Sequence, residues 1–169
     1  MRRGRPDRKS LVSRGFTMIE LLVVMAILGV LAAAVLPLGE TLLAAQKERD
    51  LRLALQEIRT ALDAYKRVMD QSPQVGGATG GAGSGYPPSL QALVDGTPDT
   101  RVASRGRMLY FLRAIPRDPF ANPQVPAEQT WRLRSYASPA DKPQPGVDVY
   151  DVHSSSDGKA LDGTSYAQW

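Results

Sequence analysis

The chain has 169 residues, enough for one modest domain plus a membrane element, and it contains no cysteine. The missing thiols exclude disulfide staples and thiolate metal sites. The net charge of +4 is also localised: residues 1–15 hold Arg2, Arg3, Arg5, Arg8, Lys9 and Arg14 against Asp7, which makes this segment +5 and the remainder −1. The bulk of the protein thus gives no electrostatic reason to bind nucleic acid.

The basic segment 1–15 leads directly into an apolar stretch. From Leu21 to Gly39 there are 19 residues without a charge. At about 1.5 Å per residue such a helix crosses a hydrocarbon core of about 30 Å. A transmembrane helix is expected over 16–38. The basic leader before it and the mixed charges after it (Glu40, Lys47, Glu48, Arg49, Asp50) place residues 1–15 on the cytoplasmic side and the rest across the membrane. An ordinary signal peptide would carry its cleavage site after the apolar run. Here Arg14-Gly15-Phe16 stands before it.

Glu20 is the one charge inside the apolar segment that starts at Phe16. A carboxylate there is costly, by about 2.5–3.5 kcal/mol at mid-bilayer and less near the interface. A cut between Gly15 and Phe16 would create an α-amine on Phe16 that can pair with Glu20 of a staggered neighbour. The alternative is an interfacial Glu that snorkels to water. Pro37 lies late in the run and predicts a break: it either kinks or melts the helix, or ends it.

The order Arg14-Gly15-Phe16-Thr17-Met18-Ile19-Glu20-Leu21-Leu22-Val23 resembles the class III signal of type IV pilins and type II secretion pseudopilins. The resemblance implies that a membrane prepilin peptidase cuts after Gly15 and N-methylates Phe16. It also implies a role for Glu20 in assembly, and Pro37 matches a typical pilin position.

Past Gly39 the periodicity becomes one-sided. Leu51, Leu55, Ile58, Leu62, Tyr65 and Met69 step by four and three, while Arg49, Arg52, Gln56, Arg59, Asp63, Lys66 and Arg67 occupy the other face. An amphipathic helix is expected over 39–71, stopped by Ser72-Pro73. Residues 72–169 then form a loop-rich domain. Gln74–Gly85 is Gly-rich and lacks a phosphate-loop pattern, so it reads as a surface loop. A short helix starts near Pro88 and ends at Asp95-Gly96. The three prolines of Ile115-Pro116-Arg117-Asp118-Pro119-Phe120-Ala121-Asn122-Pro123 forbid helix and central strand. Both stretches resemble the major branch of the type II secretion pseudopilins.

Trp131–Tyr136 and Val147–Val152 alternate and read as strands. The expected fold is therefore α+β, pilin-like: a long N-terminal helix packed on a small antiparallel sheet of two or three strands. The tail from Ser154 to Ser165 is dense in oxygen ligands, which suits Ca²⁺. The same branch carries a calcium loop here. That resemblance assigns Asp157 as a ligand, with Asp162 the one further acid in place of a longer acidic run. Read without it, Asp157-Gly158 and Asp162-Gly163 are a plain pair of turns. His153 is the only histidine and builds no zinc site.

No catalytic constellation stands out, and the expectation is a structural protein rather than an enzyme. The resemblance implies a homopolymer, the pseudopilus, built in the periplasm from subunits anchored in the bacterial inner membrane. Its implied partners are the prepilin peptidase, minor pseudopilins and an inner-membrane assembly platform. The rivals are a type IV or competence-type pilin and, from another class, a signal-anchored periplasmic binding module or enzyme.

Overall fold

A computed structural model describes residues 15–71, 83–99 and 107–169, with the side chains at 34 and 36–38 outside that description. The basic leader up to residue 14 and most of the Gly-rich loop lie outside the described residues. The chain divides into two units, 1–41 and 42–169, taken here in turn. Helix α1 (Met18–Asp70, 53 residues) contributes to both.

In the first unit, α1 starts at a side-chain cap. Thr17 Oγ1 accepts the Glu20 N–H at 3.2 Å and the Thr17 carbonyl accepts the Leu21 N–H at 3.2 Å. Thr17 and Glu20 thus hold the cap and third positions of a Thr-x-x-Glu start. The described side chains that follow find no core: Ile19 is 69% exposed, Val30 72% and Val35 64%. The helix is apolar on all sides here, the pattern of a segment that belongs in an apolar surrounding. Among the described residues, no helix stretch is long and apolar enough to cross a membrane. The undescribed side chains at 34 and 36–38 fall inside the apolar run. The backbone is helical through position 37, so Pro37 does not end α1. Proline fixes φ at a near-helical value and removes a single N–H, and the flanking Leu and Ala residues are strong helix formers.

In the second unit, the stripe anticipated from spacing is the core. Leu51, Leu55, Ile58, Leu62, Tyr65 and Met69 are all buried, joined by Ala54 and Ala61 on the same side. Burying one such aliphatic side chain contributes roughly 1.5–3 kcal/mol. The stripe packs with Leu90, Leu93, Leu112, Trp131, Val149, Val152 and Tyr166, and the Tyr65 and Phe111 rings lie 5.2 Å apart.

Helix α2 (Gln91–Asp95) ends where expected, at Gly96 with φ +79°. A Cβ there would strike the Leu109 carbonyl at 2.8 Å, so both the backbone angle and the space require glycine. A two-stranded ribbon not anticipated from the sequence follows, with β1 (Thr97–Pro98) antiparallel to β2 (Met108–Leu109).

The second sheet pairs β3 (Trp131–Arg134) with β4 (Asp151–Ser154), Trp131 opposite Ser154 and Arg134 opposite Asp151. The second strand therefore begins four residues later than expected. Asp148 is diverted: its carboxylate accepts the Ser135 hydroxyl at 2.5 Å and the Tyr136 N–H at 2.9 Å. The Val149 N–H goes to the Pro87 carbonyl at 2.8 Å instead of to a strand. Burial alone would raise the Asp148 pKa, but the hydrogen bonds from Ser135, Ser84 and the Tyr136 N–H outweigh it and hold the carboxyl below its ordinary value.

The proline-rich loop is ordered by a buried acid as well as by apolar residues. Asp118 is 2% exposed. Its Oδ1 accepts the Phe120 N–H (2.8 Å), and its Oδ2 accepts the Ser154 hydroxyl (2.6 Å) and the Ser155 N–H (3.1 Å). A carboxylate with three donors compensates its burial and ties the loop to the end of β4. The Trp131 indole N–H adds a bond to the Pro116 carbonyl at 2.8 Å.

Candidate functional site

Two regions hold the residues singled out by sequence, and each belongs to its own unit. At the start of α1, Gly15 and Phe16 precede the helix as irregular chain, both exposed. A Cβ built on Gly15 meets no heavy atom within 4 Å. Nothing in this chain's own described packing therefore demands glycine there. Glu20 stands one turn further on, exposed, with its backbone fixed by Thr17. Among the described residues, no donor engages its carboxylate besides its place at the positive end of the helix dipole. The geometry offers an irregular, accessible peptide followed by an uncompensated carboxylate on an apolar helix.

The second region is the C-terminal loop. Gly158, Ala160, Gly163 and Tyr166 close it through backbone bonds: Ala160 N–H to the Thr164 carbonyl (2.8 Å), Gly163 N–H to the Ala160 carbonyl (2.9 Å) and Tyr166 N–H to the Gly158 carbonyl (3.1 Å). Asp157 lies against Arg132 of β3, whose Nη2 donates to its Oδ1 at 2.7 Å and to the Ser155 carbonyl at 3.2 Å. Asp162 Oδ1 accepts both the N–H (2.9 Å) and the hydroxyl (2.6 Å) of Thr164, and these bonds hold its carboxyl below the ordinary value. The two aspartates are thus engaged separately. Among the described residues, no three acidic or histidine side chains gather into a group that could hold a metal ion. Each aspartate gives one carboxylate oxygen, Oδ1, to a protein donor: Asp157 to Arg132 and Asp162 to Thr164.

Sequence reasoning missed what pins this loop to α1. Glu48 is 6% exposed, and its Oε1 accepts the Leu161 N–H (2.7 Å) and the Tyr166 hydroxyl (3.1 Å). Burial and this carboxylate push the Tyr166 pKa up. Arg59 donates to Asp151 Oδ1 (2.8 Å), to the Val152 carbonyl (3.0 Å) and to the main-chain oxygen of Trp169. The Arg52 guanidinium lies 4.3 Å from the Trp169 ring centroid, and Phe120 stacks on Tyr166 at 4.2 Å. A signal for Glu48 was present: it sits three before Leu51 and seven before Leu55, on the buried stripe. His153 is half-buried with neither ring nitrogen hydrogen-bonded. Burial lowers its pKa; Asp151, at 3.7 Å, opposes this, while Arg59 and Arg134 add to it.

Comparison with known proteins bears on both ends. Residues 12–36 match the family described as the prokaryotic N-terminal methylation motif. That range includes Gly15, Phe16, Glu20 and most of the apolar run. The chain is also 29% identical over 115 residues to the type II secretion system core protein G of Escherichia coli strain K12, covering 66% of this chain and 70% of that protein. No solved structure matches. The chain therefore carries the N-methylation motif of pilin-like leaders and is similar, over two thirds of its length, to a type II secretion core protein G.

Proposed function

We propose that this chain is a pseudopilin, a structural subunit of a type II secretion pseudopilus with no catalysis of its own. The observation that carries this reading is the conjunction of the methylation motif at 12–36 with the similarity to core protein G. Neither a pilus for adhesion nor a signal-anchored enzyme accounts for both.

In this reading a prepilin peptidase removes residues 1–15 and methylates the Phe16 amine. The open space around Gly15 supports it, since the glycine then serves the peptidase rather than this chain's fold. Residues 16–38 lie in the inner membrane before assembly and in the filament core afterwards. The exposed apolar side chains of early α1 are the surface that such packing would cover. Glu20 of one subunit pairs with the Phe16 amine of another and sets the register, which offsets the cost of an apolar surrounding for both charges. The unit from Leu42 onward faces the periplasm. Minor pseudopilins and an inner-membrane platform are the further partners.

The test is the mature N-terminus, read by mass spectrometry with and without the prepilin peptidase. The expected product starts at Phe16 and is heavier by one methyl group, only when the peptidase is present. An intact leader, or a cut beyond the apolar run, would overturn the proposal.

A further inference from the structure

The C-terminal loop carries the acids and turns of a cation-binding segment, yet a cation is already in place there. Arg132 projects from β3 and holds Asp157 and the Ser155 carbonyl with the same guanidinium nitrogen. Further carboxylates tie the loop to the domain. Asp162 holds Thr164, Glu48 holds Leu161 and Tyr166, and Asp118 holds Ser154 and Ser155. Lys159 and Ser165 form a backbone bridge across the loop.

We propose that Arg132 is the built-in cation of this loop, and that residues 155–166 close on the domain without a bound metal. A guanidinium can do this because it is permanently charged and presents several donors in a rigid plane, so one group can serve a carboxylate and a carbonyl together. A calcium ion would need six to eight oxygens from the same few residues. The proposal is independent of the pseudopilin reading, since it concerns the closure of the loop and not what the chain assembles into.

Thermal unfolding of the full chain in detergent micelles tests it, with calcium chloride or a calcium chelator added. A cation bound at about a hundred times its Kd would raise Tm by roughly 5–10 °C. The expected result is the same Tm in both conditions. Arg132→Gln and Asp157→Asn are each expected to lower Tm by about 1–3 °C, modestly because the pair is solvent-exposed. The double variant should fall no further than the worse single one, as for two halves of one contact. Arg132→Lys keeps the charge but loses the planar fork, and should recover part of the loss. A calcium-dependent rise in the unaltered chain would overturn the proposal. So would additive losses from Arg132→Gln and Asp157→Asn, or no loss from either.

Discussion

The two parts of α1 are one helix read under two rules. Before Thr41 its described apolar side chains point in every direction and stay exposed, and the acid inside the apolar run, Glu20, has no described partner. From Leu51 to Met69 an apolar stripe keeps to one side and is buried, and the buried acid that precedes it, Glu48, accepts bonds from Leu161 and Tyr166. The lesson is that a carboxylate in an apolar setting is stable where donors come to it. In the later half they come from the same chain. In the earlier half the proposed donor is the Phe16 amine of another subunit.

The sharpest way to break the comparison is Glu20→Val. Filament yield in cells should fall about tenfold or more, the loss of one paired charge in an apolar interface. Cleavage after Gly15 should persist, and the unfolding midpoint of the later unit should not move. Next comes the contrast of equal truncations in the two parts. Ile58→Ala should destabilise the folded unit by about 2–5 kcal/mol in denaturant unfolding. Leu28→Ala, on the uncovered part, should change that same midpoint by less than about 0.5 kcal/mol.

A smaller effect is expected at Glu48. Glu48→Ala strips the Leu161 N–H and the Tyr166 hydroxyl of their acceptor and should cost about 1–3 kcal/mol. It should also loosen residues 157–169, read as faster amide exchange there. The smallest effect is the pH response of His153. Its folded pKa lies below that of the unfolded chain, so the neutral ring is the form the fold accepts. Its contribution is complete above about pH 6.5 and is lost as pH falls below that value. His153→Gln should flatten the decline in stability between neutral and mildly acidic pH.

Legibility differed by region for physical reasons. The stripe from Leu51 to Met69 was readable because a 3.6-residue period and a core contact coincide residue by residue. The stop of α2 at Gly96 was readable because a positive φ and a close carbonyl leave room for nothing larger. The start of β4 was not readable: alternation from Val147 looks like strand, but Asp148 and Val149 spend their bonds on Ser135, Tyr136 and Pro87. Arg132 looked like one more polar residue on an alternating strand. Its role depends on Asp157, 25 residues later, being folded back beside it.

What the sequence by itself determined is the order along the chain. Its basic segment, methylation motif, apolar run and one-sided stripe are local patterns, legible because charge, hydrophobicity and helical period act over neighbouring residues. Tertiary structure decided which charges are satisfied. Glu48, Arg59, Asp118 and Arg132 acquire partners for their charged groups from segments 23 to more than 100 residues away. Loop closure over such separations follows from the packing of the whole domain and leaves no mark in the spacing of residues.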